Sequence, residues 1–120
     1  MATIKKILVA EDEKPMSKAL VLKLNNAGFE AKAVFNGEDA LAELEKESYD
    51  LLLLDMIMPR MDGFSVLAKI KEGGIKTKVI VTSNLGQPED FEKAKSLGAS
   101  DYFVKSDTSL SEIVENIKRM

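Results

Sequence analysis

Four groups of side chains in this 120-residue chain have the types that phosphorus and metal chemistry require: Glu11-Asp12-Glu13, Asp55, Thr82-Ser83-Asn84 and Lys105. Carboxylates brought close together raise one another's pKa, so three of them cannot all stay ionised unaided. A hard divalent cation resolves that conflict. Mg²⁺ takes one or two carboxylates, several waters and a phosphate oxygen, and Mn²⁺ accepts similar oxygen donors. A carboxylate beside such a cation can attack phosphorus and form an aspartyl phosphate. Transfer of this kind is mostly positioning and charge neutralisation. Lys105 can supply a fixed positive charge, and a hydroxyl from Thr82 or Ser83 can bind a phosphoryl oxygen.

Each group taken alone also has a plainer reading. An acidic loop after a strand is usually a solvated helix start, and a single lysine is usually a surface lysine. Asp55 is less easily explained, because Leu51 to Leu54 before it are all apolar and burying a carboxylate is costly without compensation. What favours the chemical reading is joint position: all four groups stand at the downstream ends of apolar runs.

Those runs alternate five times with helical patterns. Ile4 to Ala10 reads as a first strand. Pro15 suits the first turn of a helix to Ala27, with Met16, Ala19, Leu20 and Leu24 on one face and Gly28 as its stop. Phe29 to Phe35 alternates in the manner of an edge strand, with Phe29, Ala31, Ala33 and Phe35 on one face. Asn36 can cap a helix through Lys46 that turns Ala40, Leu41 and Leu44 inward. Leu51 to Leu54 and Val79 to Val81 are apolar at every position, as strands covered on both faces are. Asp62 can cap a third helix through Lys71, broken by Gly73-Gly74. Pro88 opens a fourth that Gly98 closes. Asp101 to Val104 is a short fifth strand, and Ser109 with Glu112 forms a capping box for a last helix carrying Leu110, Ile113, Val114 and Ile117.

This (βα)₅ alternation demands an α/β doubly wound parallel sheet with right-handed crossovers. The flavodoxin-like order 2-1-3-4-5, known for sheets of this kind, satisfies an amphipathic second strand at an edge and two all-apolar strands inside. Ligands of such sheets bind beyond the carboxyl ends of the strands, where strand order reverses. Here that crevice gathers Glu11-Asp12-Glu13, Asp55, Thr82-Ser83-Asn84 and Lys105.

Composition narrows the chemistry further. The chain is 45% hydrophobic and 31% charged, which is ordinary for one globular domain. It has no Cys and no His, so disulfides, thiolate or imidazole metal sites and Ser-His-Asp catalysis are excluded within it. A net charge of −3 gives no footprint for nucleic acid. No apolar run reaches membrane-spanning length and no signal-peptide pattern opens the chain, so a cytoplasmic location is expected. The turn after the first strand is acidic and lacks glycine, unlike the phosphate-cradling turns of nucleotide-binding folds.

Ile7-Leu-Val-Ala-Glu-Asp-Glu13, Leu51-Leu-Leu-Leu-Asp-Met-Ile-Met-Pro-Arg-Met-Asp-Gly63 and Gly98-Ala-Ser-Asp-Tyr-Phe-Val-Lys105 resemble the three signature segments of response-regulator receiver domains of two-component signalling. The resemblance covers essentially the whole chain and implies a single receiver domain over residues 1–120, with no output domain among them. It implies Asp55 as phosphoacceptor. Asp12 would be a direct Mg²⁺ ligand, joined by Asp55 and the Ile57 backbone carbonyl, with Glu11 acting through water. Lys105 would pair first with Asp55 and then with the phosphoryl group, and Tyr102 would be an aromatic rotamer switch. The family's interval back from Lys105 lands on Ser83 as the switch hydroxyl; Thr82 takes that role only with one inserted residue before the fourth helix. The partners implied are a histidine kinase or phosphotransfer protein as donor and a downstream protein or separate output domain as reader. Neither nucleic acid nor membrane is expected to bind this domain.

The chain departs from the family pattern at Glu11, where Asp is commoner, at Asn84, where a tiny residue is usual, and at Ser106, where proline usually follows the lysine in a cis bond. A cis bond without proline costs about 3 kcal/mol, so Lys105-Ser106 is either trans or strained. Two other functions compete with the phosphorylation switch. An unphosphorylated receiver-like docking module would not need Asp55, Asp12 and Lys105 intact. A hydrolase of the aspartyl-phosphate type commonly carries Asp-x-Asp at the nucleophile, whereas Met56-Ile57 follows Asp55 here. The expected protein is therefore a regulator that catalyses its own phosphorylation and slow dephosphorylation rather than a dedicated enzyme.

Overall fold

Three uninterrupted apolar runs form the middle of the sheet. A computed structural model of the protein describes residues 4–120. It places β1 (Lys6–Ala10), β3 (Leu51–Leu54) and β4 (Lys78–Ser83) between β2 (Glu30–Val34) and β5 (Asp101–Val104), in the order β2-β1-β3-β4-β5, all parallel. Five helices, α1 (Lys14–Asn26), α2 (Gly37–Lys46), α3 (Gly63–Glu72), α4 (Pro88–Ser96) and α5 (Leu110–Lys118), make the crossovers and close the chain. This is the expected (βα)₅ architecture.

Strand alternation divides the core in two. Leu8, Ala10, Leu52, Leu54, Val79 and Val81 face Ala40 and Leu44 of α2, Val66, Leu67 and Ile70 of α3, and Ala94 of α4. Ile7, Val9, Leu51, Leu53 and Ile80 face Leu20 and Leu24 of α1 and Ile113, Val114 and Ile117 of α5. The sheet is therefore covered on both faces, as all-apolar strands require. Truncating one of the β3 leucines to alanine would cost about 2–5 kcal/mol, a large part of the 5–15 kcal/mol typical of a whole domain.

Local signals set the ends of the elements. Asn36 accepts from the Asp39 N–H at 2.8 Å, Asp62 from the Ser65 N–H at 2.8 Å, and Ser109 from the Glu112 N–H at 3.1 Å. Each occupies the cap position expected of it. Gly28 and Gly98 follow α1 and α4 with φ of 99° and 103°, where side-chain-bearing residues are strained.

Three expectations need adjusting. β1 begins at Lys6 rather than Ile4. β2 is shorter than its alternating pattern and ends at Val34, which is its buried residue, while Phe35 lies beyond the strand and is exposed under Lys14. A short 3₁₀ turn, Lys105–Asp107, follows β5.

Charged residues on α2 and at its C-terminal end tie that helix to its neighbours in the sheet. Glu43, 9% exposed, accepts from Lys32 of β2 at 2.9 Å and from the Tyr49 hydroxyl before β3 at 3.0 Å. Glu47 accepts from Lys6 of β1 at 2.6 Å. Hydrogen bonds from Lys32 and Tyr49 hold the Glu43 carboxyl down at about 2. A depressed carboxyl stabilises the fold above its unfolded pKa, near 4.3, and that contribution is lost as pH falls towards about 2. Glu43→Gln should therefore be less stable than the parent at neutral pH, with the difference shrinking steadily between pH 4.5 and 2. Urea midpoints across that range test this, and curves that stay parallel would show that Glu43 contributes nothing through its charge.

Candidate functional site

Sheet register brings the functional side chains to one edge. Ala10 pairs with Leu54 and Leu54 with Val81, so Glu11, Asp55 and Thr82 are the next residues along three neighbouring strands. Ser83 pairs with Val104, so Lys105 follows β5 two residues beyond the level of Asp55 and Thr82, and its long side chain reaches back to Asp55. Parallel strands deliver the residues that follow them to the same edge of the sheet.

The centre of the site is an ion-pair cluster. Lys105, its side chain only 7% exposed, lies 3.0 Å from Asp55 Oδ2 and 2.5 Å from Glu11 Oε1. Both carboxylates are almost fully buried, Glu11 at 1% and Asp55 at 4% exposure. Glu13, largely exposed, comes within 3.7 Å of the same ammonium. Burial pushes the Glu11 carboxyl up and the charge of Asp55 adds to this, against the opposing pull of Lys105 and of the Glu13 N–H. Burial alone would lower the Lys105 ammonium, but hydrogen bonding and charge from Glu11 and Asp55 outweigh it and hold the group above its ordinary value. One cation is thus shared between two buried anions. Such a cluster persists because removing any one member leaves an uncompensated buried charge.

The loop after β3 is held equally closely. The Asp55 N–H donates to the Ala10 carbonyl at 3.0 Å, Asp55 Oδ1 accepts from the Ile57 N–H at 3.2 Å, and the Gly63 N–H donates to the Met56 carbonyl at 2.9 Å. A Cβ on Gly63 would stand 2.4 Å from the Asp55 carbonyl, and one on Gly37 would stand 2.2 Å from that of Met61. Only glycine lets the starts of α3 and α2 approach this loop so nearly.

Glu11, Asp12 and Asp55 each offer an oxygen, and these lie within 4.8 Å of one another. Asp12 is exposed while its two neighbours are buried, so it stands at the mouth of the site. An all-oxygen set with this spacing fits Mg²⁺ or Mn²⁺. Glu11 Oε1 supports that fit: it is a buried carboxylate oxygen whose close partner is the Lys105 ammonium, so this place already selects for positive charge.

Thr82 and Ser83 occupy opposite faces. Thr82 pairs with Phe103, on the side packed by α1 and α5, whereas Ser83 shares the face of Val81 and Tyr102. Ser83 Oγ accepts from the Leu85 N–H at 3.3 Å. Tyr102 turns in towards the loop after β4 and donates its hydroxyl to the Leu85 carbonyl at 2.7 Å. Burial pushes the Tyr102 phenol up, against the Ser83 hydroxyl beside it. Among the described residues no hydrogen bond joins Thr82 or Ser83 to Asp55. The Lys105-Ser106 bond is trans, since no cis peptide occurs among the described residues. Glu13 is the member of the cluster to which sequence reasoning gave no role; its place directly after Asp12 was the available signal.

Residues 7–118 match the family model described as response regulator receiver domain. The chain is 36% identical over 100 residues to the transcriptional regulatory protein DltR of Streptococcus agalactiae, covering 83% of this chain and 45% of that one. It is 35% identical over 113 residues to the regulatory protein VanRc of Enterococcus gallinarum, covering 94% of this chain and 48% of that one. The chain thus spans about half the length of these curated relatives. The receiver domain of the Francisella response regulator 1452 superposes with a TM-score of 0.90 at 30% identity, covering 96% of this chain and 94% of that one.

The burial contrast between Asp12 and Glu11 leads to a metal titration. Glu11→Ala should weaken Mg²⁺ binding by about tenfold, the range for a group acting behind a ligand, and Asp12→Ala by clearly more. Amide shifts around residues 11–13 and 55–57 report the binding. Equal losses in the two variants would make Glu11 a direct ligand.

Proposed function

Because the chain belongs to the response-regulator receiver family, we propose that it is a phosphorylation switch in which Asp55 accepts a phosphoryl group from a phosphohistidine on a histidine kinase or phosphotransfer protein. With no His in the chain, the donor must be another protein or domain. The observation that carries this reading is the pairing of a buried Asp55 with Lys105 at 3.0 Å, beside two further acids whose oxygens approach within 4.8 Å.

Each residue then has a task. An Asp55 carboxylate oxygen attacks phosphorus while the bond to the donor nitrogen breaks, and the imidazole leaves with a proton from solvent. The loop bond from the Ile57 N–H orients the carboxylate by holding its other oxygen. Lys105, already at Asp55, swings from its carboxylates onto a phosphoryl oxygen and offsets the added charge. Mg²⁺ or Mn²⁺ held by Asp12, Asp55 and the Ile57 carbonyl, with Glu11 behind them, would supply the remaining neutralisation. Ser83, favoured over Thr82 because it shares the face of Tyr102, turns its hydroxyl to the phosphoryl group and biases Tyr102 inward. That population shift is limited by the difference in binding to the two states. The surface formed by α4, β5 and α5 would then be read by a downstream protein or a separate output domain. The reaction suits a cytoplasmic protein.

Intact mass after treatment with acetyl phosphate and Mg²⁺ tests the acceptor. The parent chain should gain one phosphoryl group, and Asp55→Asn should gain none while keeping its far-UV circular dichroism. Undiminished labelling of Asp55→Asn would place the acceptor elsewhere, and an unlabelled parent would favour the docking-module reading.

Signal lifetime follows from the side chains around the line of attack. Ile57 is 58% exposed beside Asp55, and Leu85 is half-buried next to Tyr102. Neither can orient a water by hydrogen bonding, so the phosphorylated state should be long-lived. Ile57→Asn should speed phosphate loss by about tenfold, equivalent to about 1.4 kcal/mol of barrier. The decay after donor removal is the measurement, and a slower decay in the variant would overturn this account.

A further inference from the structure

We propose that Phe91 of α4 is a positioning residue that sets the resting rotamer of Tyr102, and with it the fraction of the unmodified chain already in its inward arrangement. This rests on the switch reading above. Tyr102 meets Phe91 edge to face, with ring centroids 4.7 Å apart and planes at 71°, within the range where aromatic pairs attract beyond simple area burial. At its other end the Tyr102 hydroxyl donates to the Leu85 carbonyl at 2.7 Å. The ring is therefore held at two points, one on the loop after β4 and one on α4.

Phe91 has little else to do. It is 38% exposed, and Ala94 is the buried residue of α4. The core therefore does not require an aromatic residue at this position. Beside the pair lies a cavity of about 270 Å³ between α4 and β5, lined by Phe91, Ala94, Lys95, Ala99 and Asp101 together with Tyr102 itself. A Tyr102 ring turned outward would give up the Leu85 bond and its edge-to-face arrangement with Phe91. Phe91 thus favours the inward ring before any phosphoryl group arrives. Any ligand of Asp55 that favours the inward ring binds a chain part of whose conformational cost is already met.

The chain has two tyrosines, so ¹³C-tyrosine labelling of the full chain gives two ring signals, with buried Tyr49 as internal reference. Side-chain couplings and shifts of Tyr102 report its rotamer without any donor, and titration with beryllofluoride and Mg²⁺ reports the coupling to Asp55. In Phe91→Ala the outward-to-inward ratio should rise by about three- to tenfold. Half-saturation with beryllofluoride should rise in inverse proportion to the inward fraction that remains, and Tyr49 should not move. Phe91→Leu, which keeps apolar bulk without the aromatic edge, should shift Tyr102 in the same direction by less, and it decides the matter if Phe91→Ala proves poorly folded. Unchanged Tyr102 signals in both variants would overturn the proposal. Failure of the parent chain to bind beryllofluoride would count against the switch reading instead, while the donor-free rotamer ratio would still settle the role of Phe91.

Discussion

The site turns on one shared charge. Glu11 and Asp55 are both buried at the ends of adjacent central strands, and the Lys105 ammonium is the cation that compensates them. Two carboxylates at that spacing with no cation would repel each other and suffer burial besides. The apolar β1 and β3 can end in acids only because a lysine follows β5, two strands away from β3, and its side chain reaches back to both of them. The parallel order and the register of β3, β4 and β5 are thus electrostatic requirements as much as packing ones.

The same arrangement makes the cluster convertible. A lysine bound to two anions already occupies the region where a phosphoryl group would bring new negative charge. Its displacement from Glu11 releases a buried carboxylate whose pKa burial has raised, and that acid then needs another partner. In the proposed switch, exchange of partners around Lys105 would couple metal, phosphoryl group and fold.

Much of this was legible in the residues themselves. Five apolar runs, three capping side chains and glycine stops defined the alternation, and the fully apolar character of Leu51 to Leu54 and of Val79 to Val81 put those strands inside. The residues following the strands then converged through topology alone. Other features carried no periodic signal. The exposure of Phe35 depends on where pairing of β2 stops, at Val34, and nothing in an alternating pattern marks that point. The burial of Glu11 follows from an arm long enough to reach Lys105, a residue 94 positions later in the chain. Contact between Phe91 and Tyr102 joins a helix to the following strand across a turn, so neither helical nor strand spacing reveals it. Glu43 reads as one more polar helix residue until Lys32 and Tyr49 are seen to meet it.

The glycines at the starts of α2 and α3 give the domain an uneven stiffness. Gly37 and Gly63 let two helix ends press on backbone atoms of the loop that follows Asp55, and close-packed protein resists compression. On the opposite flank, the stretch from Asn84 to Glu89 is mostly exposed, and a Cβ on Gly86 would meet nothing nearer than the Val104 methyls at 3.7 Å. Stress introduced at Asp55 has a clamped wall on one side and a yielding one on the other. In the proposed switch the domain would act as a lever with a fixed fulcrum: where backbone touches backbone would set the direction of its response, and the chemistry at Asp55 would set only the moment.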